Sequence, residues 1–279
     1  MVAGHYAIVE AAHAPARDIR LRTPDGLSIA GTFHPGVRNN ASGVLLLHGV
    51  RESRAAVADN AKWLSSLGYA TLAIDFRGHG QSDAATRTFG LRESSEARAA
   101  FDWLKRRQQN APVAVIGISL GGAASLIGDA GPVPADAMIL QAVYPDIRHA
   151  IRNRIASRLS KAVAYVLEPL LSFQAPLRFG VWPSRLSPIK EIGEYKGPIL
   201  IIGGNRDEAT PPDETRALFD AAVGRKELWL VPHGNHASIS DLADLAYRTR
   251  VRRFLERAMP APSGTQAHAS KPGRDRSPR

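Results

Sequence analysis

Ser119 stands at the centre of Gly117-Ile118-Ser119-Leu120-Gly121, a G-x-S-x-G pentapeptide of the kind that exposes a nucleophilic hydroxyl. In a chain with 24 glycines those five letters alone carry little weight, and a glycine-rich turn with a solvated serine is the plain alternative. The flanks carry more. Val113-Ala114-Val115-Ile116 reads as a strand buried on both faces, and Ala123-Ala124-Ser125-Leu126-Ile127 reads as helix. A serine on such a turn points out over the sheet edge. Gly117 and Gly121 suit it because a side chain there would collide with neighbouring backbone. Three more turns carry reactive groups: His48-Gly49-Val50, Asp207 in Gly203-Gly204-Asn205-Arg206-Asp207, and His236 in His233-Gly234-Asn235-His236.

Other chemistries lack their residues. The chain has no cysteine, which excludes disulfides, thiolate metal sites and a cysteine nucleophile. No H-E-x-x-H suggests a metal and no G-x-x-x-x-G-K-[ST] suggests a nucleotide, so no cofactor is expected.

The elements around these turns alternate. Asp18–Arg22 and Leu27–Phe33 read as a β-hairpin about Thr23-Pro24-Asp25-Gly26, with one solvated face and hence at the sheet edge. Buried strands follow at Val44–Leu47, Tyr69–Ile74, Val113–Ile116 and Ala137–Leu140, then at Ile199–Ile202 and Leu228–Val231. Helices read at Arg54–Leu67, Leu91–Gln109, from the serine turn to about Asp129, at Asp213–Val223 and at Asp241–Met259. This regularity predicts an α/β fold with a mostly parallel central sheet flanked by helices, in one domain over residues 18–259. Residues 1–17 read as a loose segment and 260–279 as a disordered basic tail. In open parallel sheets functional groups gather beyond the carboxyl ends of the strands. Asp207 and His236 lie 29 residues apart, about one strand–helix–strand unit. A serine, a carboxylate and an imidazole therefore converge from distant positions.

Four features together resemble the α/β-hydrolase fold superfamily, over roughly Asp18 to Met259. They are the His-Gly turn after an early buried strand, the run Asp75-Phe76-Arg77-Gly78-His79-Gly80-Gln81-Ser82, the Ser119 elbow, and Asp then His at the last two strand ends. The order Ser, Asp, His is the one that superfamily uses. The resemblance implies that Ser119 attacks an acyl carbon, that His236 shuttles the proton and that Asp207 fixes the imidazole tautomer. It places the oxyanion between the backbone N–H groups of Val50 and Leu120. Glu208 and Asp213 compete for the acid's role; Asp207 is favoured because the carboxylate has to sit near the strand end to reach Nδ1. His233 competes with His236, yet relatives often carry glycine at the His233 position while the histidine matching His236 recurs. His48 reads as a structural hydrogen-bonder beneath the oxyanion turn and His79 as a turn residue. Arg51 and Arg77 fall near the cleft, where they either favour an anionic substrate or are simply solvated. The activity implied is a serine hydrolase cleaving an ester or related acyl bond through an acyl-enzyme. A thioesterase, a peptidase and a non-catalytic or membrane-surface binding protein that keeps the fold are the competing readings.

Between about residues 144 and 196 the alternation breaks into basic, apolar and proline-rich pieces, which reads as a short helical lid. Its Val163, Tyr165, Val166, Leu170, Leu171 and Phe173 favour an apolar acyl or alcohol group. Arg148 to Lys161 reads as a wet helix face, with docking to a membrane surface as the rival. The formal net charge of +10 comes without any nucleic-acid-binding motif, so no nucleic-acid partner is expected. No secretory signal or spanning stretch is read, which makes the cytoplasm the expected address.

Overall fold

The structure, a computed structural model, describes residues 11–239 and 244–259. Among these residues eight strands form one sheet: β1 (Arg17–Arg22), β2 (Ser28–His34), β3 (Gly43–Leu47), β4 (Ala70–Ile74), β5 (Val113–Ile118), β6 (Ala137–Gln141), β7 (Ile199–Gly204) and β8 (Lys226–Val231). Their spatial order is β1-β2-β4-β3-β5-β6-β7-β8. β1 and β2 are antiparallel to each other, β2 is antiparallel to β4, and every pairing from β4 to β8 is parallel.

Both faces of the sheet are covered, and this accounts for the unbroken apolar runs. Successive side chains of a strand point to opposite faces. Leu45 and Leu47 thus join a core with α2 (Glu93–Arg107) and α3 (Leu120–Leu126). Val44 and Leu46 join a second core with α1 (Ala58–Ser66) and α9 (Asp244–Ala258). Burying Leu45, Leu46 and Leu47 completely contributes about 2 kcal/mol each from apolar surface alone.

Three expectations need adjustment. The hairpin lies at the sheet edge, but only β1 is the edge strand; β2 buries Ile29, Ala30 and Phe33 between β1 and β4, so its alternation is weaker than read. The helix expected from Arg54 opens as a 3-10 turn, Arg54–Val57, and there the Arg54 N–H donates to the Asp75 carboxylate at 2.6 Å. The helix after the serine turn stops at Leu126 instead of continuing to Asp129. The start of the terminal helix at residues 241–243, most of the loose N-terminal segment (residues 1–10) and the basic tail (260–279) lie outside the described residues.

Between β6 and β7 the chain builds a helical insertion: α4 (Ile147–Ala156), α5 (Lys161–Ser172), α6 (Ala175–Phe179) and α7 (Pro188–Glu191). Two backbone hydrogen bonds close its neck, Ile147 N–H to Leu186 O and Ile189 N–H to Pro145 O, both 2.9 Å. Asp146 and Ser160 cap α4 and α5 by accepting from the His149 and Val163 N–H groups. After β7, α8 (Pro212–Ala221) leads into β8.

Candidate active site

Ser119 follows β5 directly and holds φ 48°, ψ −107°, a conformation that non-glycine residues rarely adopt. Its N–H donates to Gln141 O at 2.8 Å, which ties the elbow to β6. The next residue, Leu120, begins α3. Close backbone approach makes this turn possible. A Cβ on Gly121 would lie 2.4 Å from Leu47 O, and one on Gly117 would lie 2.6 Å from the Gly122 Cα. Ser119 is 7% exposed.

Two strands away, the turn after β7 buries Asp207 completely. The Asp207 Oδ1 accepts the Ala209 and Thr210 N–H groups, each at 2.8 Å, and Oδ2 accepts the Thr210 hydroxyl at 2.6 Å. Oδ2 also meets His236 Nδ1 at 2.9 Å, from the turn after β8. Burial is the largest single influence on this carboxyl and opposes its ionisation. The hydrogen bond and charge of His236, with the bonds from Thr210, together outweigh it and hold Asp207 below the ordinary carboxylate range. The hydrogen-bonding contacts of the His236 ring among the described residues are with Asp207 and Thr210, both through Nδ1. The imidazole is 31% exposed, and Nε2 makes no hydrogen bond among the described residues. Glu208 and His233 are exposed on their turns and Asp213 is exposed in the first turn of α8, and none of them pairs with His236 among the described residues. His233 sits at φ 60°, the left-handed region where glycine is the usual occupant.

The turn after β3 is held by two buried imidazoles. His48 Nε2 accepts the Phe76 N–H at 3.1 Å, so its Nδ1 carries the proton, donated to Gly49 O at 2.7 Å. Burial, the dominant influence, drives the His48 pKa down to about 3, and the ring stays neutral. His79 packs edge-on against it at 5.1 Å and reaches the Arg51 N–H through Nε2 at 3.4 Å. Between these anchors lies Val50. Among the described residues neither the Val50 nor the Leu120 N–H has a backbone acceptor, as a helix start and an open turn allow.

The run from Asp75 is a structural knot. Asp75 pairs with Arg54 in the interior and accepts the Gln81 N–H at 2.9 Å. Arg77 is buried, paired with Glu96 and 3.0 Å from Asp25, so it is not available to an anionic substrate in the cleft. Thr210 joins Asp207 and His236 without belonging to any of the motifs described above. Its signal was the Asp-x-x-Thr spacing, in which a carboxylate accepts N–H groups two and three residues on.

Of the apolar insertion residues expected to face substrate, Leu171, itself exposed, lines a cavity of about 190 Å³ with Phe89, Ile151 and Phe179 that includes none of Ser119, Asp207 and His236. Val163, Tyr165, Val166, Leu170 and Phe173 are exposed instead. A wider cleft of about 1100 Å³ lies elsewhere, among Arg22, Arg92, Arg98 and Asp102, and includes none of Ser119, Asp207 and His236. Among the described residues no cluster of three or more His, Asp or Glu could hold a metal ion. No helix there is long and apolar enough to cross a membrane.

A family model described as serine aminopeptidase, S33, matches residues 38–179, just over half of the chain. This chain belongs to that family of α/β hydrolases. The S33 match spans β3, the elbow and the first helices of the insertion. Similar curated proteins include an uncharacterised protein of Mycobacterium tuberculosis strain H37Rv, 28% identical over 242 residues, covering 86% of this chain and 79% of its own length. The uncharacterised Bacillus subtilis protein YqkD is 27% identical over 239 residues, covering 83% and 76%. Among solved structures the Pyrococcus furiosus esterase Pf2001 superposes with a TM-score of 0.71 at 23% identity, covering 91% of this chain and 98% of that one. At that identity the likeness establishes the S33 chain's fold alone.

Proposed function

We propose that this S33-family chain is a serine hydrolase that cleaves an ester or related acyl bond, with Ser119, His236 and Asp207 as its catalytic residues. The observation that carries the reading is the 2.9 Å Asp207–His236 pair on the same sheet edge as a serine in a strained elbow. With Nδ1 turned to the carboxylate, His236 presents Nε2 to the cleft. Nε2 takes the Ser119 proton as Oγ bonds to the acyl carbon, and the carbonyl electrons move onto the oxygen. The Val50 and Leu120 N–H groups receive that oxyanion, a contribution of about 3 kcal/mol per donor. On collapse the leaving group takes the proton from Nε2 and departs, leaving an acyl-enzyme that water cleaves by the same steps. The serine–imidazole contact closes in the substrate complex, as such contacts often do.

An ester fits better than a peptide with a free amino terminus, although the family model carries an aminopeptidase name. Binding an ammonium group calls for a carboxylate, and the acid on α5, Glu168, is buried against Arg148 and Arg152. The similar Pyrococcus protein is itself called an esterase.

The test is a panel of acyl substrates that varies chain length and leaving atom (oxygen ester, thioester, aminoacyl amide), run beside a fluorophosphonate label. Labelling of the wild type at Ser119, lost in Ser119→Ala, with fastest turnover on oxygen esters is the expected outcome. No label on the folded wild type would leave a binding protein that keeps the fold.

A further inference from the structure

α5 is an amphipathic helix turned inside out. Its buried positions are Ala164, Glu168 and Ser172, spaced four apart, while Val163, Val166, Leu170 and, just beyond its end, Phe173 and Leu177 fall on the outer side. Val166 is 69% exposed, Leu170 64% and Leu177 90%. The cause is a polar seam. Glu168 accepts from Arg148 at 2.8 and 3.0 Å and from Arg152 at 3.3 Å, two arginines one turn apart on α4. Those guanidiniums also lie over the Phe173 and Tyr165 rings, at 5.8 and 4.6 Å. The α4–α5 pair is therefore locked by charge, and the lock fixes which face looks outward. Trp182, exposed and edge-on to Phe173 at 6.3 Å, extends the patch. Clustered apolar side chains of this size on an outer face mark an interaction surface.

Charge identifies the occupant. Residues 147–191, the insertion helices, carry eight Lys or Arg against two acids, Glu168, which is already paired, and Glu191. Arg154, Arg158 and Lys161 stand exposed at the α4–α5 turn and Arg178 at the far end. Two copies apposed through this face would set cation against cation. A neutral apolar partner would leave the cations without counterions. A bilayer with anionic headgroups meets both needs, apolar side chains entering the acyl boundary and cations meeting the headgroups. We propose that the outer face of α5 and α6 docks this protein on anionic lipid surfaces. This goes beyond the hydrolase reading and does not depend on it.

The experiment is vesicle sedimentation of the full chain on phosphatidylcholine alone and with phosphatidylglycerol added, at low and high salt. The wild type binds the anionic vesicles, and salt weakens that binding. Arg158→Gln with Lys161→Gln lowers the partition coefficient about 30-fold at low salt, since each charge contributes about fivefold. Val166→Asp with Leu170→Asp lowers it by at least about tenfold. Both side chains in the second pair are exposed, so that variant keeps wild-type unfolding and wild-type turnover of a short soluble ester. Three results overturn the proposal. The first is failure of the wild type to bind anionic vesicles. The second is unchanged binding of Val166→Asp/Leu170→Asp with loss of binding on neutralising Lys271, Arg274, Arg276 and Arg279, which assigns the affinity to the tail. The third is a wild-type dimer that the Asp pair dissolves, which assigns the face to a second copy.

Discussion

The Thr210 hydroxyl donates to the same Asp207 oxygen that faces His236 Nδ1, at 2.6 Å against 2.9 Å. The carboxylate thus has both its oxygens engaged by its own turn before the imidazole arrives, which sets the direction of the remaining lone pair. Positioning of the acid is a property of residues 207–210 as a unit.

Thr210→Val removes a hydrogen bond to a charged group, a contribution of about 1.5 kcal/mol, and is expected to lower kcat about tenfold with KM little changed. Thr210→Ser restores it. Steady-state kinetics on the best ester of the panel checks this, and an unaltered kcat in Thr210→Val would remove the role.

Asp207→Asn keeps the shape and loses the charge, so kcat should fall by about 10⁴. Glu208→Gln and Asp213→Asn, both exposed and away from His236, should stay within about twofold of wild type. If Asp207→Asn turns over normally, the acid lies elsewhere.

The elbow carries strain that can be measured apart from catalysis. Ser119→Ala keeps a Cβ at φ 48°, whereas Ser119→Gly relieves it. Both variants lose activity, but the glycine form should be more stable than the alanine form by about 1 kcal/mol, read from urea midpoints. Equal midpoints would mean the turn is relaxed.

Acid should weaken the fold through His48. Its folded pKa, about 3, lies below the ordinary value of 6.5 because burial disfavours the charged ring. The unfolded chain then binds protons first as pH falls. This stability is complete above about pH 6.5 and is lost progressively toward pH 3. Between pH 7 and pH 5 the unfolding free energy should drop by about 2 kcal/mol from His48, with a loss of the same sign from His79, whose pKa burial also lowers. Denaturant unfolding at the two pH values tests it; a flat profile contradicts the neutral, buried His48.

What was legible followed from short-range rules. The parallel strands announced themselves because a strand covered on both faces is apolar at every position, as Val44 to Leu47 are. Gly117 and Gly121 could be read as close-approach sites because only glycine tolerates a neighbour's backbone where its Cβ would be. Illegible were features decided by partners far along the chain. Arg77 looked like a cleft cation until its partners Glu96 and Asp25 were in view. The apolar stretch of α5 reads as a substrate lining, and its exposure is set by Arg148 and Arg152 on another helix. His79 read as a turn residue, but its ring is buried against His48. Spacing along a chain does not disclose such choices of face.

The two hydrogen bonds that pinch Ile147 to Leu186 and Pro145 to Ile189 clasp residues 148–185 as one flap, which Asn153 also stitches to the Asp207 turn by donating to Ala209 O at 3.2 Å. Below that clasp Met138 aligns with Ile199, so β7, which leads into the Asp207 turn, starts from a fixed place. Changes on the exposed side of the flap therefore leave the sheet register alone, whereas a change at Asn153 is felt directly at the Asp207 turn.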